Sequence, residues 1–223
     1  GLGGTGSMVL AIFDLDSTLL NGDSDHAWGE FLARKGIVGP EYREGNDRFY
    51  ADYLAGSLDV GAYIQFMVQP LLDFNLEELE ELRQEFVQTS IQPMRLPRAE
   101  SLLAEHRDQG RTLVIITSTT RLITEPIARL LGVPHLVATE LEVMNHHLSG
   151  KLDGVPCFGP NKVVKLREWM QATGNTLEGS FFYTDSHTDL PLLELVDHPT
   201  AVDPDPSLEA SALSRGWPVI SLR

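Results

Sequence analysis

Two carboxylates one residue apart, Asp14 and Asp16, close the run Val9-Leu10-Ala11-Ile12-Phe13, and Thr18 adds a hydroxyl two residues further on. Five consecutive apolar residues rich in β-formers suit a parallel strand buried on both faces. In open α/β sheets, ligands gather beyond the carboxyl ends of such strands. Two acids at that edge are costly to desolvate unless a cation or a reaction uses them. Turn formation and helix capping are the ordinary alternatives for Asp and Ser after a strand, so the pair takes its meaning from the rest of the chain. Leu113-Val114-Ile115-Ile116-Thr117-Ser118 is a second apolar run ending in hydroxyls, and Asn161-Lys162 opens a helix-like segment. Phe181-Phe182-Tyr183-Thr184-Asp185 is a third run, followed by Ser186-His187-Thr188-Asp189 with another acid. Three strand ends and one helix start converge on one edge.

The elements that must position these residues alternate in α/β order. A helix ends at Gly110, the second strand follows to Thr117, and another helix ends at Gly132 ahead of a strand at Leu136-Val137-Ala138. Leu141 to Leu152 reads as a hairpin turning near Asn145–His147 or Ser149-Gly150, and Lys162 to Ala172 as a helix closed by Gly174. Strands are expected near Thr200-Ala201-Val202 and Pro218-Val219-Ile220. The segment 22–97 has no apolar run of the buried-strand kind and reads as helical. Trp28, Phe31 and Leu32 share one face, as do Leu72, Leu76, Leu79, Leu82 and Phe86 at three- and four-residue steps. Tyr50, Tyr53, Tyr63, Phe66 and Met67 are expected to fill a small bundle there. The fold class is therefore α/β, a Rossmann-like, doubly wound, mainly parallel sheet formed by residues 8–21 and 98–223, with a helical-bundle cap at 22–97 inserted after the first strand.

This ordered set resembles the haloacid dehalogenase superfamily, and in detail its phosphoserine-phosphatase-like branch, from about Met8 to the Asp203-Pro204-Asp205-Pro206 segment. The Asp-x-Asp-x-Thr signature after a strand is its most specific element; the Thr117, Lys162 and Asp185/Asp189 elements add weight by order and spacing. The resemblance implies a phosphatase working on a small phosphomonoester with Mg²⁺. Its ligands would be Asp14, the backbone carbonyl of Asp16 and Asp185, with Asp189 behind them orienting a ligand or its waters. Asp14 would be the nucleophile, forming an aspartyl-phosphate, and Asp16 the general acid and then base. Lys162 and the hydroxyl of Thr117 or Ser118 would stabilise the phosphoryl oxygens. Thr188 stands where many members carry Asn at a phosphate contact, and Thr117-Ser118-Thr119 replaces Ser-Gly-Gly. Asp23 and Asp25, just after the catalytic strand, suggest a cationic substrate tail such as that of histidinol phosphate; helix capping is the plain alternative. Phosphoserine would also need a base, for which Arg34, Arg43, Arg48 and Arg121 are candidates. Phosphoryl transfer to an acceptor alcohol, or binding without turnover, are the other readings.

Composition bounds the partners. The chain carries 32 acids against 17 bases, a formal net charge of −15, which argues against nucleic acid or an anionic membrane as partner. Its one cysteine, Cys157, excludes an intrachain disulfide and reads as a small packed residue. No apolar stretch of membrane length is visible, and a cytoplasmic monomer or homodimer is expected. Gly1-Leu2-Gly3-Gly4-Thr5-Gly6 matches the dinucleotide fingerprint but lacks a preceding strand, and residues 1–7 ahead of Met8 read as a leftover of cloning. No spacing supports zinc, and His26 and His146-His147 read as structural or exposed.

Overall fold

In the computed structural model, residues 8–223 are described; the glycine-rich segment 1–7 lies outside them. The chain runs β1 (Leu10–Phe13), α1 (Ser24–Arg34), α2 (Pro40–Ala55), α3 (Val60–Val68), α4 (Leu76–Phe86), α5 (Pro97–Asp108), β2 (Thr112–Thr120), α6 (Arg121–Leu130) and β3 (His135–Thr139). It continues through β4 (Leu141–Met144), β5 (His147–Leu152), α7 (Asn161–Thr173), β6 (Phe181–Thr184), the short α8 (Leu190–Leu193), β7 (His198–Val202), α9 (Pro206–Arg215) and β8 (Val219–Ile220). Six strands form one sheet in the order β3-β2-β1-β6-β7-β8, and every neighbouring pair is parallel. Strand order grows outward in both directions from β1. The crevice between the ends of β1 and β6 is therefore the switch point where such sheets bind ligands.

Alternation along β1 divides the core between the two faces. Leu10 and Ile12 pack with Val114, Ile116, Leu166 and Leu208 on one side. Ala11 and Phe13 pack with Ile115, Leu103, Ile123 and Ile127 on the other. Both faces are covered, which is why the strands read as unbroken apolar runs.

Among the described residues, no named strand lies between β1 and β2; the segment is helical, as its sequence predicts. Trp28, Phe31 and Phe86 bring their rings within 5.1–5.6 Å of one another. In α4, Leu79, Leu82 and Phe86 turn inward, and Asn75 and Glu78 close a capping box at its start. Gly29 allows α1 and α2 to approach closely: a Cβ there would lie 2.3 Å from the Asn46 side chain. The β4–β5 hairpin turns at Asn145-His146, and the His146 carbonyl accepts a hydrogen bond from the Leu76 N–H across to the helical segment. Tyr63 and Met67 are buried as expected, but Tyr50 and Tyr53 are not core residues. They remain partly exposed because they wall a cavity. No helix among the described residues is long and apolar enough to cross a membrane.

Candidate active site

Parallel register builds the first half of the site. Phe13 lies opposite Tyr183 of β6, so the next residues, Asp14 and Thr184, emerge side by side at the sheet edge. The Asp14 N–H donates to the Tyr183 carbonyl at 2.9 Å, fixing the backbone at this point. Lys162, in the first turn of α7, reaches the same edge from below. Its Nζ lies 3.2 Å from Asp14 Oδ1 and 3.0 Å from Asp189 Oδ1. The Thr184 hydroxyl stands 2.6 Å from Asp189 Oδ2 and 3.3 Å from Asp14 Oδ2. Thr18 donates to Asp185 Oδ1 at 2.9 Å and accepts from the Asp185 N–H at 3.1 Å, tying the turn after β1 to the end of β6.

This half is a buried knot of charge. Burial opposes the Lys162 charge, but Asp14 and Asp189 outweigh it and hold the ammonium above its ordinary range. Burial raises Asp189, with Lys162 pulling the other way. Asp185 has no such cation beside it: burial, followed by the charge of Asp14, pushes it up to about 9.

The second half lies across Asp16. Its Oδ1 accepts the Ser24 N–H at 2.6 Å and its Oδ2 accepts the Thr119 hydroxyl at 2.7 Å. Thr119 Oγ1 is also 3.1 Å from Asp25 Oδ2. Asp23 caps α1 by accepting the His26 N–H at 2.8 Å, so the capping role considered from sequence holds for it. Asp23 and Asp25 also line a cavity with Tyr50, Tyr53, Ser118 and Thr119. Burial and the charge of Asp16 push Asp25 up to about 7, against the hydroxyls of Tyr63 and Thr119. Burial, then Asp16 and Asp25, raise Asp23 well above the usual carboxylate range.

A wider cleft of about 440 Å³ runs past Asp185, Ser186, His187 and Thr188. Tyr53, Leu58 and Phe158 line both spaces and stand between them. No lysine or arginine is among the residues lining either. Arg34 is bound to Ser90, Arg43 to Glu30, and Arg121 to Glu140 and the Leu136 carbonyl; Arg48 is exposed.

Of the two hydroxyl candidates on β2, Thr117 is buried with its oxygen accepting the Thr119 N–H at 3.1 Å, whereas Ser118 faces the cavity. Thr188 pairs with the Ser186 hydroxyl at 2.7 Å on the cleft wall. Sequence reasoning gave no role to Thr119 or Thr184. Only strand register, which pairs Phe13 with both Ile115 and Tyr183, brings their hydroxyls to Asp16 and Asp14.

With this geometry in place, the comparisons are decisive. The family model for haloacid dehalogenase-like hydrolase matches residues 11–194. The chain belongs to the haloacid dehalogenase-like hydrolases. A histidinol-phosphatase of Neisseria meningitidis serogroup C is 40% identical to this hydrolase over 219 residues, covering 96% of this chain and 99% of that protein. A crystal structure of a protein of unknown function from Bordetella pertussis Tohama I superposes with a TM-score of 0.91 at 38% identity, covering 98% of this chain and 100% of that one. A phosphoserine phosphatase solved as a phospho-aspartyl intermediate analogue gives a TM-score of 0.68 at 18% identity, covering 98% and 95%. The fold of this hydrolase is therefore phosphoserine-phosphatase-like.

A Mg²⁺ ion asks for hard oxygen donors from one or two carboxylates and leaves room for water and substrate. Asp14 and Asp185 offer such carboxylates on adjacent strand ends. The carbonyl of Asp16 accepts no backbone hydrogen bond among the described residues. The proton affinity of Asp185 marks the spot as short of positive charge, and the donor set fits the ion. His26, Glu30 and Asp47 also bring three ligand atoms within 4.8 Å, but Glu30 is taken by Arg43 and Asp47 is exposed; they form a surface ion-pair cluster.

Proposed function

We propose that this phosphatase hydrolyses a small phosphomonoester whose alcohol part carries an amine, with Mg²⁺ and through an aspartyl-phosphate on Asp14. The observation that carries the chemistry is the contrast between two carboxylates two residues apart. Asp14 lies against Lys162, whereas Asp16 is held by Ser24 and Thr119 beside the cavity. Neighbouring acids in different surroundings divide into nucleophile and proton carrier.

In the first half-reaction an Asp14 oxygen attacks phosphorus. The bond from phosphorus to the alcohol oxygen breaks with its electron pair on that oxygen, which takes a proton from Asp16. Water then attacks phosphorus and gives its proton to Asp16, the acyl-phosphate bond breaks, and its electron pair restores the Asp14 carboxylate. Lys162 holds Asp14 in line and offsets charge on the phosphoryl oxygens, helped by Thr117 or Ser118 and the N–H groups that open α6. Thr188 is a weaker contributor, at the cleft wall. Bound by Asp14, Asp185 and the Asp16 carbonyl, with Asp189 orienting the set, Mg²⁺ would supply the positive charge that lets one anion approach another.

The cavity supports the substrate class. It presents Asp23 and Asp25 and no lysine or arginine, which suits an amine without a carboxylate. Histidinol phosphate fits that description better than phosphoserine, and the Neisseria relative bears the corresponding name. The helical segment 22–97, which supplies most of this wall, acts as the cap that chooses the alcohol.

Phosphate release from histidinol phosphate, phosphoserine and an aryl phosphate, with Mg²⁺ and with chelator, tests this reading. Release should require Mg²⁺, be fastest with histidinol phosphate, and vanish in Asp14→Asn with the fold retained. Chelator-insensitive release, or near-normal turnover by Asp14→Asn, overturns the mechanism; a preference for phosphoserine overturns the substrate assignment.

A further inference from the structure

Thr119, which holds Asp16, also touches a second carboxylate, and that second contact has no role in the reading above. Thr119 is buried at the end of β2, its hydroxyl is 2.7 Å from Asp16 Oδ2 and 3.1 Å from Asp25 Oδ2, and it lies in the cavity wall. A threonine hydroxyl has one hydrogen and donates it well to one acceptor at a time. Two carboxylates therefore compete for it. Asp25 has a further unmet need: its Oδ1 is buried without a hydrogen-bond partner among the described residues, although the Tyr63 hydroxyl lies close by. An unpaired buried carboxylate oxygen beside a cavity calls for a donor that enters from that cavity.

We propose that Thr119 is a positioning residue through which the cavity controls Asp16, so that an ammonium or N–H donor on the leaving group seated against Asp25 raises kcat as well as affinity. With Asp25 satisfied by that donor, the Thr119 hydrogen is left to Asp16. Asp16 is then clamped at both oxygens, by the Ser24 N–H at Oδ1 and by Thr119 at Oδ2. With a leaving group that lacks the donor, Asp25 continues to draw on Thr119 and the clamp loosens. The enzyme thereby reads the alcohol part of its substrate in the chemical step, since an interaction gained only as the reacting complex forms appears in kcat. This inference rests on the assignment of Asp16 as the proton carrier and of the cavity as the leaving-group pocket.

The test compares amine-bearing and amine-free substrates of like size in the Mg²⁺-loaded enzyme: histidinol phosphate against its deamino counterpart, and 2-aminoethyl phosphate against propyl phosphate. The native enzyme should favour the amine-bearing member of each pair in kcat. Thr119→Val should lower kcat for the amine-bearing substrates by about tenfold, the worth of one hydrogen bond to a charged group, while changing KM far less. The kcat preference between members of a pair should collapse towards one, and Thr119→Ser should restore it. Asp25→Asn should also erase the preference. Thermal melting of each variant verifies the fold.

An unchanged kcat preference in Thr119→Val, an equal loss of kcat on both members of a pair, or an effect confined to KM overturns the proposal. So does a lack of turnover with every amine-bearing compound. Asp16→Asn separates the levels: if it retains normal turnover, the underlying reading of Asp16 fails, whereas an inactive Asp16→Asn beside an unaltered Thr119→Val preference sinks this inference alone.

Discussion

The strand-end cluster and the cavity wall hold three buried or half-buried acids each, Asp14, Asp185 and Asp189 against Asp16, Asp23 and Asp25, and treat them in opposite ways. At the strand ends, Asp14 and Asp189 close around Lys162, and Thr184 bridges the two. At the cavity wall, Asp16, Asp23 and Asp25 share only hydroxyls and backbone N–H groups, and Asp23 and Asp25 hold their protons more tightly than free carboxyls do. The first arrangement sets a cation of the chain's own against Asp14 and Asp189 and leaves only Asp185 without one. The second is left short of positive charge on the side open to the cavity. The chain's own cation thus sits where the chemistry would be the same for every phosphomonoester, and the wall without any lysine or arginine borders the space where substrates would differ.

Removing Lys162 should break the first region most severely. Lys162→Met leaves Asp14 and Asp189 buried without their cation, and breaking a buried pair from one side costs about 3–5 kcal/mol. The thermal midpoint should fall accordingly, and phosphate release should drop by at least about 100-fold as Asp14 loses its anchor and the phosphoryl oxygens their fixed charge. Lys162→Met combined with Asp189→Asn should recover part of the stability and none of the activity. A Lys162→Met protein that melts like the native one would mean that the strand-end acids are not held by this ion pair, and the contrast between the regions would be lost.

His106 provides a buried titratable group outside both regions. Arg111 donates to its Nδ1 at 3.0 Å, so Nε2 carries the hydrogen and donates to the Tyr183 hydroxyl at 2.7 Å. Burial, then Arg111, lowers its pKa to about 4, and the folded protein keeps it neutral. The unfolded chain takes up a proton below about pH 6.5, so the stability this group contributes is complete above that pH and drains away as the pH falls towards 4. The loss should reach about 3 kcal/mol. His106→Gln should flatten this acid flank in denaturant titrations between pH 7 and 4. An unchanged flank would assign the acid sensitivity to the carboxylate regions instead.

Much of the fold was legible because parallel strands buried on both faces must be apolar throughout. Val9–Phe13, Leu113–Ile116 and Phe181–Tyr183 announced themselves in that way, and Gly132 and Gly174 marked where helices end. Asp14, Lys162, Asp185 and Asp189 were singled out by the order and spacing of their motifs, which resemble the haloacid dehalogenase pattern, since each of the later ones is a weak signal alone. The roles of Thr119 and Thr184 were not legible, since a hydroxyl near a strand end is common and only register decides whose carboxylate it meets. Tyr50 and Tyr53 were misread as core for a related reason: helical periodicity says which residues share a face, not whether that face meets another helix or a cavity. Asp23 shows the two readings need not compete, because one carboxylate both caps α1 and faces the cavity.

The finest test of the contrast lies in Asp25, where the expected effect is smallest and has the opposite sign. Its pKa in the folded protein, about 7, lies above the ordinary carboxylate value of 3.8. The folded state thus retains a proton that the unfolded chain has already released, and ionising Asp25 in place weakens the fold as the pH rises from about 4 to 7. Asp25→Asn removes that penalty. The variant should equal the native protein in stability near pH 4 and exceed it by about 1–2 kcal/mol at pH 8, after allowing for the partial access of solvent to the cavity. Denaturant midpoints at the two pH values measure this directly. A destabilised Asp25→Asn at pH 8 would mean that the cavity wall, like the Asp14–Lys162–Asp189 cluster, is already balanced without a ligand, and no cation would then be called for. A stabilised variant that has also lost its preference for amine-bearing substrates would show that the unfavourable charge is kept for recognition, at a cost to the folded state that the substrate's own charge offsets on binding.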